Sequence, residues 1–239
     1  MPPHSVASRE ERDRLRKELL IAEKALTRQR DEVARRRREL PWVRVEKDYT
    51  FEAAGGATVR LSELFRDGKD DLVVYHFMYD PDWELPCDHC CCWADGFNAY
   101  LPFFEDKFNF AVVAKAPYER LASVNEMKGW TLPMYSSAAS DFNKDCEVED
   151  VVVKAGGKEI LLSQAAAVSV FRKEDGVVYS TYNTSQRGLE CFNAIWAFLD
   201  TLPNGREGWH PKHRHLYTGK RFEKEDRSSE SHKRRKSQD

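Results

Sequence analysis

The run Asp71-Leu72-Val73-Val74-Tyr75-His76-Phe77 restricts the fold more than any other stretch of the chain. A continuous apolar segment of this length suits a strand covered on both faces of a sheet, not one with a wet face. A helix-compatible stretch over 91–106 follows, and a second apolar strand runs from Phe110 to Ala114. Strand, helix and strand at this spacing make a βαβ unit, so the two strands pair in parallel. A further helix, near Tyr118 to Lys128, is ended by Gly129. Val168–Arg172 and Val177–Thr181 flank Lys173-Glu174-Asp175-Gly176, a hairpin signature, and Leu189–Leu202 reads as a last amphipathic helix. Upstream, residues 49–60 predict a hairpin around Gly55-Gly56, and Ser62 to Phe65 a helical turn. The order β-α-β-α-β-β-α is that of an α/β thioredoxin-like fold, a central mixed sheet flanked by helices.

Residues 87–92 read Cys-Asp-His-Cys-Cys-Cys, which places four of the six cysteines at the opening of the first helix of that unit. Unpaired N–H groups and the helix dipole there favour thiolate over thiol. Cys87 is the expected nucleophile and Cys90 the resolving thiol. His89 could hold an imidazolium beside the thiolate, with Asp88 acting in the opposite sense. Cys91 and Cys92 differ by about 100° on a helix and cannot both face the site. Cys146 and Cys191 read as core residues. Arg187 is a candidate anchor for an anionic substrate or a thiolate, its plainer reading being a surface salt bridge. The same thiols suit a soft metal: His76, Cys87 and Cys90, with Cys91 as a spare ligand, form a set for copper or zinc. The plainer reading of His76 is a core histidine. His210, His213 and His215 are a second candidate metal group, or simply cover the flank of the domain.

The ends are different in character. Charged residues make up 33% of the chain and concentrate there. Residues 9–41 predict a charged helical arm, with Leu15, Leu19, Ala22, Leu26, Val33 and Leu40 on one seam, a capping box at Ser8 and Glu11, and a stop at Pro41. So narrow a seam needs a partner surface, and a homodimer through the arm is expected. The domain then spans residues 42–217, with residues 1–8 and the charged tail 218–239 expected to be disordered. Arg35 to Arg38 are balanced by nearby acids, and a net charge of −2 gives no pull towards nucleic acid. No apolar run approaches the roughly 18 residues needed to cross a bilayer. The N-terminus has no signal-peptide core, so a cytoplasmic setting is expected, although Lys233-Arg234-Arg235-Lys236 fits the loose pattern of a nuclear signal.

Leu40-Pro41-Trp42-Val43-Arg44-Val45, Tyr75-His76-Phe77-Met78-Tyr79, Pro81-Asp82-Trp83-Glu84 and the Cys87-x-x-Cys90 motif resemble a thioredoxin-like family catalogued as a domain of unknown function, found in bacteria and fungi. Gly129-Trp130, Ser140-Asp141-Phe142-Asn143 and Arg187-Gly188 fit the same pattern, over roughly residues 8 to 217. The resemblance implies a thioredoxin-like fold with redox or metal chemistry, and fixes no substrate. The chain departs from the pattern at two points: Cys91 and Cys92 follow the second cysteine, and Gln164-Ala165-Ala166-Ala167 lacks the cis-proline that thioredoxins place opposite their thiols. The leading expectation is an oxidoreductase acting on a small-molecule or thiol substrate through Cys87 and Cys90. A copper- or zinc-dependent protein is the alternative. A peroxiredoxin-like peroxidase is third, without the threonine expected before the cysteine, and a non-catalytic scaffold is last.

Overall fold

The computed structural model describes residues 5–155 and 157–211. The chain divides into two compact units, parted between Val43 and Arg44. The first is dominated by helix α1 (Arg9–Arg38), capped by Ser8, whose Oγ accepts the Glu11 N–H at 3.2 Å. Along its surface Arg14 bridges Glu11 and Glu18, and Glu32 meets Arg35 and Arg36. Pairs at this helical spacing favour helix in a polar sequence. None of its residues is buried.

The sheet is eight-stranded, in the order β1-β10-β9-β4-β5-β6-β2-β3. Its strands are β1 (Val43–Arg44), β2 (Thr50–Glu52), β3 (Thr58–Arg60), β4 (Asp71–His76), β5 (Asn109–Ala114), β6 (Met134–Ser136), β9 (Ala167–Glu174) and β10 (Val177–Ser185). Helix α2 (Asp88–Glu105) crosses from β4 to β5, which pair in parallel as the βαβ spacing requires. β9 lies antiparallel on the other side of β4, and β10 antiparallel to β9. Helices α3 (Tyr118–Lys128), α4 (Phe142–Asp145) and α5 (Ala194–Thr201) complete the domain. The inner order β5-β4-β9-β10, with α2 and α5, is the thioredoxin-like arrangement. The β9–β10 turn is Asp175-Gly176, with φ of 49° and 79°. Two successive left-handed residues are what a two-residue hairpin needs to match strand twist, and Gly176 adopts one of them without strain.

Several short elements escape the sequence reading, among them β1 and α4. β6 is only three residues long. β7 (Glu149–Ala155) and β8 (Lys158–Gln164) form a separate two-stranded sheet, an arm inserted before β9. The expected helix over Leu189–Leu202 is a 3-10 segment, Gln186–Phe192, followed by α5, because Asn193 adopts extended backbone and caps Ile195 instead.

The sheet separates two cores. Tyr75 and Phe77 of the β4 run pack with Phe97, Val112, Leu121 and Trp130 on one side. Leu72 and Val74 pack with Phe51, Leu61, Phe142 and Phe171 on the other. Side chains alternate along a strand, so His76 follows Leu72 and Val74 to the second side. There it is 1% exposed, shares a 2.8 Å hydrogen bond between its Nε2 and Ser169 Oγ, and stacks on Phe142. Its Nδ1 has no partner, so the neutral ring is best served by Nε2–H donating to the serine. Among the described residues no helix is long and apolar enough to cross a membrane.

Burial holds the His76 imidazole down to about 3. The unfolded ring takes up a proton below about 6.5, and the folded one refuses it until far lower. Stability from this group is therefore intact above 6.5 and lost as pH falls from there towards 3. Between pH 7 and pH 5 the wild type should lose on the order of 2 kcal/mol more than His76→Gln in urea unfolding. An identical pH response in both proteins would contradict burial of a neutral ring.

Candidate active site

Helix α2 starts three residues earlier than the sequence suggests. Cys87 is its N-cap, and the Cys87 carbonyl accepts the first helical bond, from the Cys91 N–H at 3.0 Å. Cys90 thus sits inside the first turn. The backbone of Met78, just past β4, holds both thiol residues. Its carbonyl accepts the Cys87 N–H at 3.0 Å, and its N–H points at the Cys90 sulfur at 3.4 Å. The loop between is gathered by Arg120 of α3. The guanidinium lies 4.6 Å from the Tyr79 ring centroid and donates to the carbonyls of Pro81, Trp83 and Glu84. No local motif marks Arg120 as part of a site: its task is set by loop carbonyls far away in sequence.

The two thiols differ sharply in environment. Cys87 is half-buried and Cys90 is 1% exposed. Cys87 is lowered to about 7 by the hydrogen bond from the Cys90 thiol, helped by the backbone N–H groups of Cys90 and His89. Burial and Asp88 oppose that shift. Cys90 is driven well above the usual thiol range by burial and by its neighbour Cys87. Near neutral pH, then, Cys87 carries the thiolate and Cys90 the proton.

His89 does not supply the expected positive charge. Its ring is held below the usual histidine range by burial first and by His210 next, so it is neutral at pH 7. The ring stacks on Trp196 with centroids 6.0 Å apart, and its Nε2 lies 3.3 Å from His210 Nδ1. What His89 gives the thiolate is its backbone N–H.

The proposed metal set is not assembled. His76 points into the core on the far side of the sheet from Cys90, as strand alternation demands. Cys91 is buried among apolar residues of the first core, and burial pushes its thiol up. Among the described residues no group of three or more His, Cys, Asp or Glu could hold a metal ion. Of the histidine-rich segment, His210 reaches His89, while His213 and His215 lie outside the described residues. Arg187 is exposed, pairs with Glu190 at 2.9 Å, and does not line the thiol cleft. Cys92 is half-buried and accepts from Asn193 at 3.6 Å, and Cys146 is half-buried against the second core. Cys191 is exposed and not a core residue, because the 3-10 segment turns it outward where a continuous helix was expected.

Both thiols open on a cleft of about 220 Å³. It is lined also by Tyr75, Met78, His89, Trp93, Leu162 of the β7–β8 arm, Ala165–Ala166, Gln186 and Leu189. The alanines stand where a thioredoxin carries its proline. Their loop is fixed by Ala165 N–H to Val148 C=O at 2.8 Å and by Gln164 Nε2 to Asp80 at 2.9 Å.

Residues 1–227 match the family described as bacterial protein of unknown function, DUF899. The chain belongs to that family. No curated protein matches it. Among solved structures, the DUF899 chain is similar to a cysteine-to-serine mutant of Xanthomonas campestris peroxiredoxin Q, with 17% identity and a TM-score of 0.47 over 63% of this chain and 89% of that one. It is also similar to peroxidoxin BcpB from Mycobacterium tuberculosis, at 18% identity and 0.41 over 59% and 84%. Reduced Prx3 of Vibrio vulnificus gives 16% and 0.41 over 62% and 85%. At these values the strand order, not the neighbours, carries the fold assignment of this DUF899 member.

The alkylation rate of Cys87 should follow a titration with its midpoint near 7. Cys90→Ala removes the largest stabilising contact and should move that midpoint up, whereas Asp88→Asn should move it down. Iodoacetamide labelling followed by peptide mass spectrometry reads all three. A midpoint unmoved by Cys90→Ala would refute the thiol-to-thiolate hydrogen bond.

Proposed function

We propose that this protein is a thioredoxin-like dithiol oxidoreductase that reduces a disulfide through Cys87 and Cys90. The observation that carries the reading is the unequal pair at the start of α2: a reachable thiolate at the N-cap beside a buried, protonated thiol one turn on. Three contributions favour Cys87 as nucleophile: the Cys90 thiol, two backbone N–H groups and the orientation of the helix.

The Cys87 thiolate attacks one sulfur of the substrate disulfide, forming a mixed disulfide and expelling the other half as a thiolate. Cys90 then gives up its proton and attacks the Cys87 sulfur. The Cys87–Cys90 disulfide forms and the second half leaves as a thiol. Two electrons pass from the dithiol to the substrate, and an external thiol returns the protein to its reduced state. Burial of Cys90 keeps it protonated until Cys87 has lost its negative charge in the mixed disulfide, because that charge is one of the groups holding the Cys90 proton on.

In a Cys191→Ser background, which removes the exposed thiol, reduced protein treated with excess disulfide should lose two thiols per chain and gain no adduct. Cys90→Ser should stop at a one-to-one mixed disulfide on Cys87, and Cys87→Ser should do neither. Intact-mass analysis separates these products. Adduct formation at Cys91 or Cys92 with Cys87 untouched would reject the assignment.

A further inference from the structure

We infer that the substrate of this thiol pair is a small neutral disulfide with apolar arms, one of which enters the cleft beside Cys87. The inference rests on the dithiol reading above and specifies what that dithiol acts on. It is drawn from the cleft's walls and its size.

The walls come first. Met78, Trp93, Leu162, Leu189 and the Ala165–Ala166 pair offer carbon, and no Asp, Glu, Lys or Arg lines the space. His89, which lines the cleft, is neutral at pH 7, while Arg120 and Arg187 do not line it and are engaged elsewhere, with loop carbonyls and with Glu190. A carboxylate entering here would shed water and meet only the Cys87 thiolate, and an ammonium would have that thiolate as its sole counter-charge and lose it when the sulfur reacts. An alkyl or aryl arm gains instead, by covering apolar surface.

Size gives the second limit. A cleft of about 220 Å³ takes one sulfur with a short arm.

Tyr75 fits the same picture. It lines the cleft but is fully buried, with its hydroxyl turned to the Cys90 sulfur, so it offers an entering ligand no polar group.

Di-n-propyl disulfide, cystamine and dithiodiglycolate differ little in size and carry neutral, cationic and anionic arms. Each is mixed with the full-length reduced protein, and the rate of thiol loss is divided by the rate of the same disulfide with mercaptoethanol thiolate. The neutral probe should lead both charged ones by about tenfold or more, the factor equivalent to about 1.4 kcal/mol. Leu162→Lys, on a half-buried arm position, should keep the fold and raise the dithiodiglycolate rate relative to cystamine. Equal or faster reaction with a charged probe overturns the substrate assignment while leaving the dithiol reading in place. No reaction with any probe, with thiols still titratable, overturns both.

Discussion

One peptide unit holds the chemistry of this protein in place. Met78 follows β4 directly, and its carbonyl and N–H reach in opposite senses to Cys87 and to the Cys90 sulfur. The strand is immobilised by parallel pairing to β5 and antiparallel pairing to β9. Whatever is bonded to Met78 inherits that rigidity. The first turn of α2 is therefore docked to the end of a central strand before any side chain beyond the thiols contributes. The asymmetry between a half-open and a closed sulfur follows from this docking: the N-cap position faces outward, and the third helical position turns under, against Tyr75.

A second consequence concerns where charge is kept away. Ion pairs lie on the surface or at the rim, as in the Arg187–Glu190–Arg206–Asp200 group and the Lys128–Asp95 pair beside Trp130. The thiol region itself is aromatic and aliphatic, with Trp93 donating to the Leu189 carbonyl and Trp196 stacked on His89. In such surroundings the Cys90 thiol, with the backbone N–H groups of Cys90 and His89 behind it, is the chief means left to stabilise an anion. That is why Cys87 can be acidic with no cation beside it.

Much of this was legible in the sequence. The β4–α2–β5 unit follows from the apolar runs and their spacing, and the cysteine cluster at its helix start needs no tertiary information. The β9–β10 hairpin announces itself in Asp175-Gly176. Other features depend on partners distant along the chain. The side to which His76 turns is fixed by counting alternation from Tyr75, a count that could have been made and would have removed it from the ligand set. The charge state of His89 is not a local property: it is set by Trp196 and His210, more than a hundred residues on. Arg120 likewise acquires its role only when α3 comes to lie against the loop at 80–86. Cys191, single in the sequence and so read as a core residue, is exposed on a 3-10 segment that ends at the extended backbone of Asn193.

The inserted arm deserves a different kind of attention. β7 and β8 pair only with each other, and two strands without a third are marginal in water. Leu162, on this arm, forms part of the cleft wall, so the entrance to the thiols is bounded on one side by the central sheet and on the other by a lone ribbon. The two boundaries have unequal local opening free energies. Amide exchange would register them as separate populations, slow along β4 and fast along β8. The width of the entrance is then a fluctuating quantity, governed by the ribbon's tether of Gln164 to Asp80 and Ala165 to Val148. A site can in this way combine rigidly placed sulfurs with a compliant mouth, and admit arms of differing girth without moving the atoms that react.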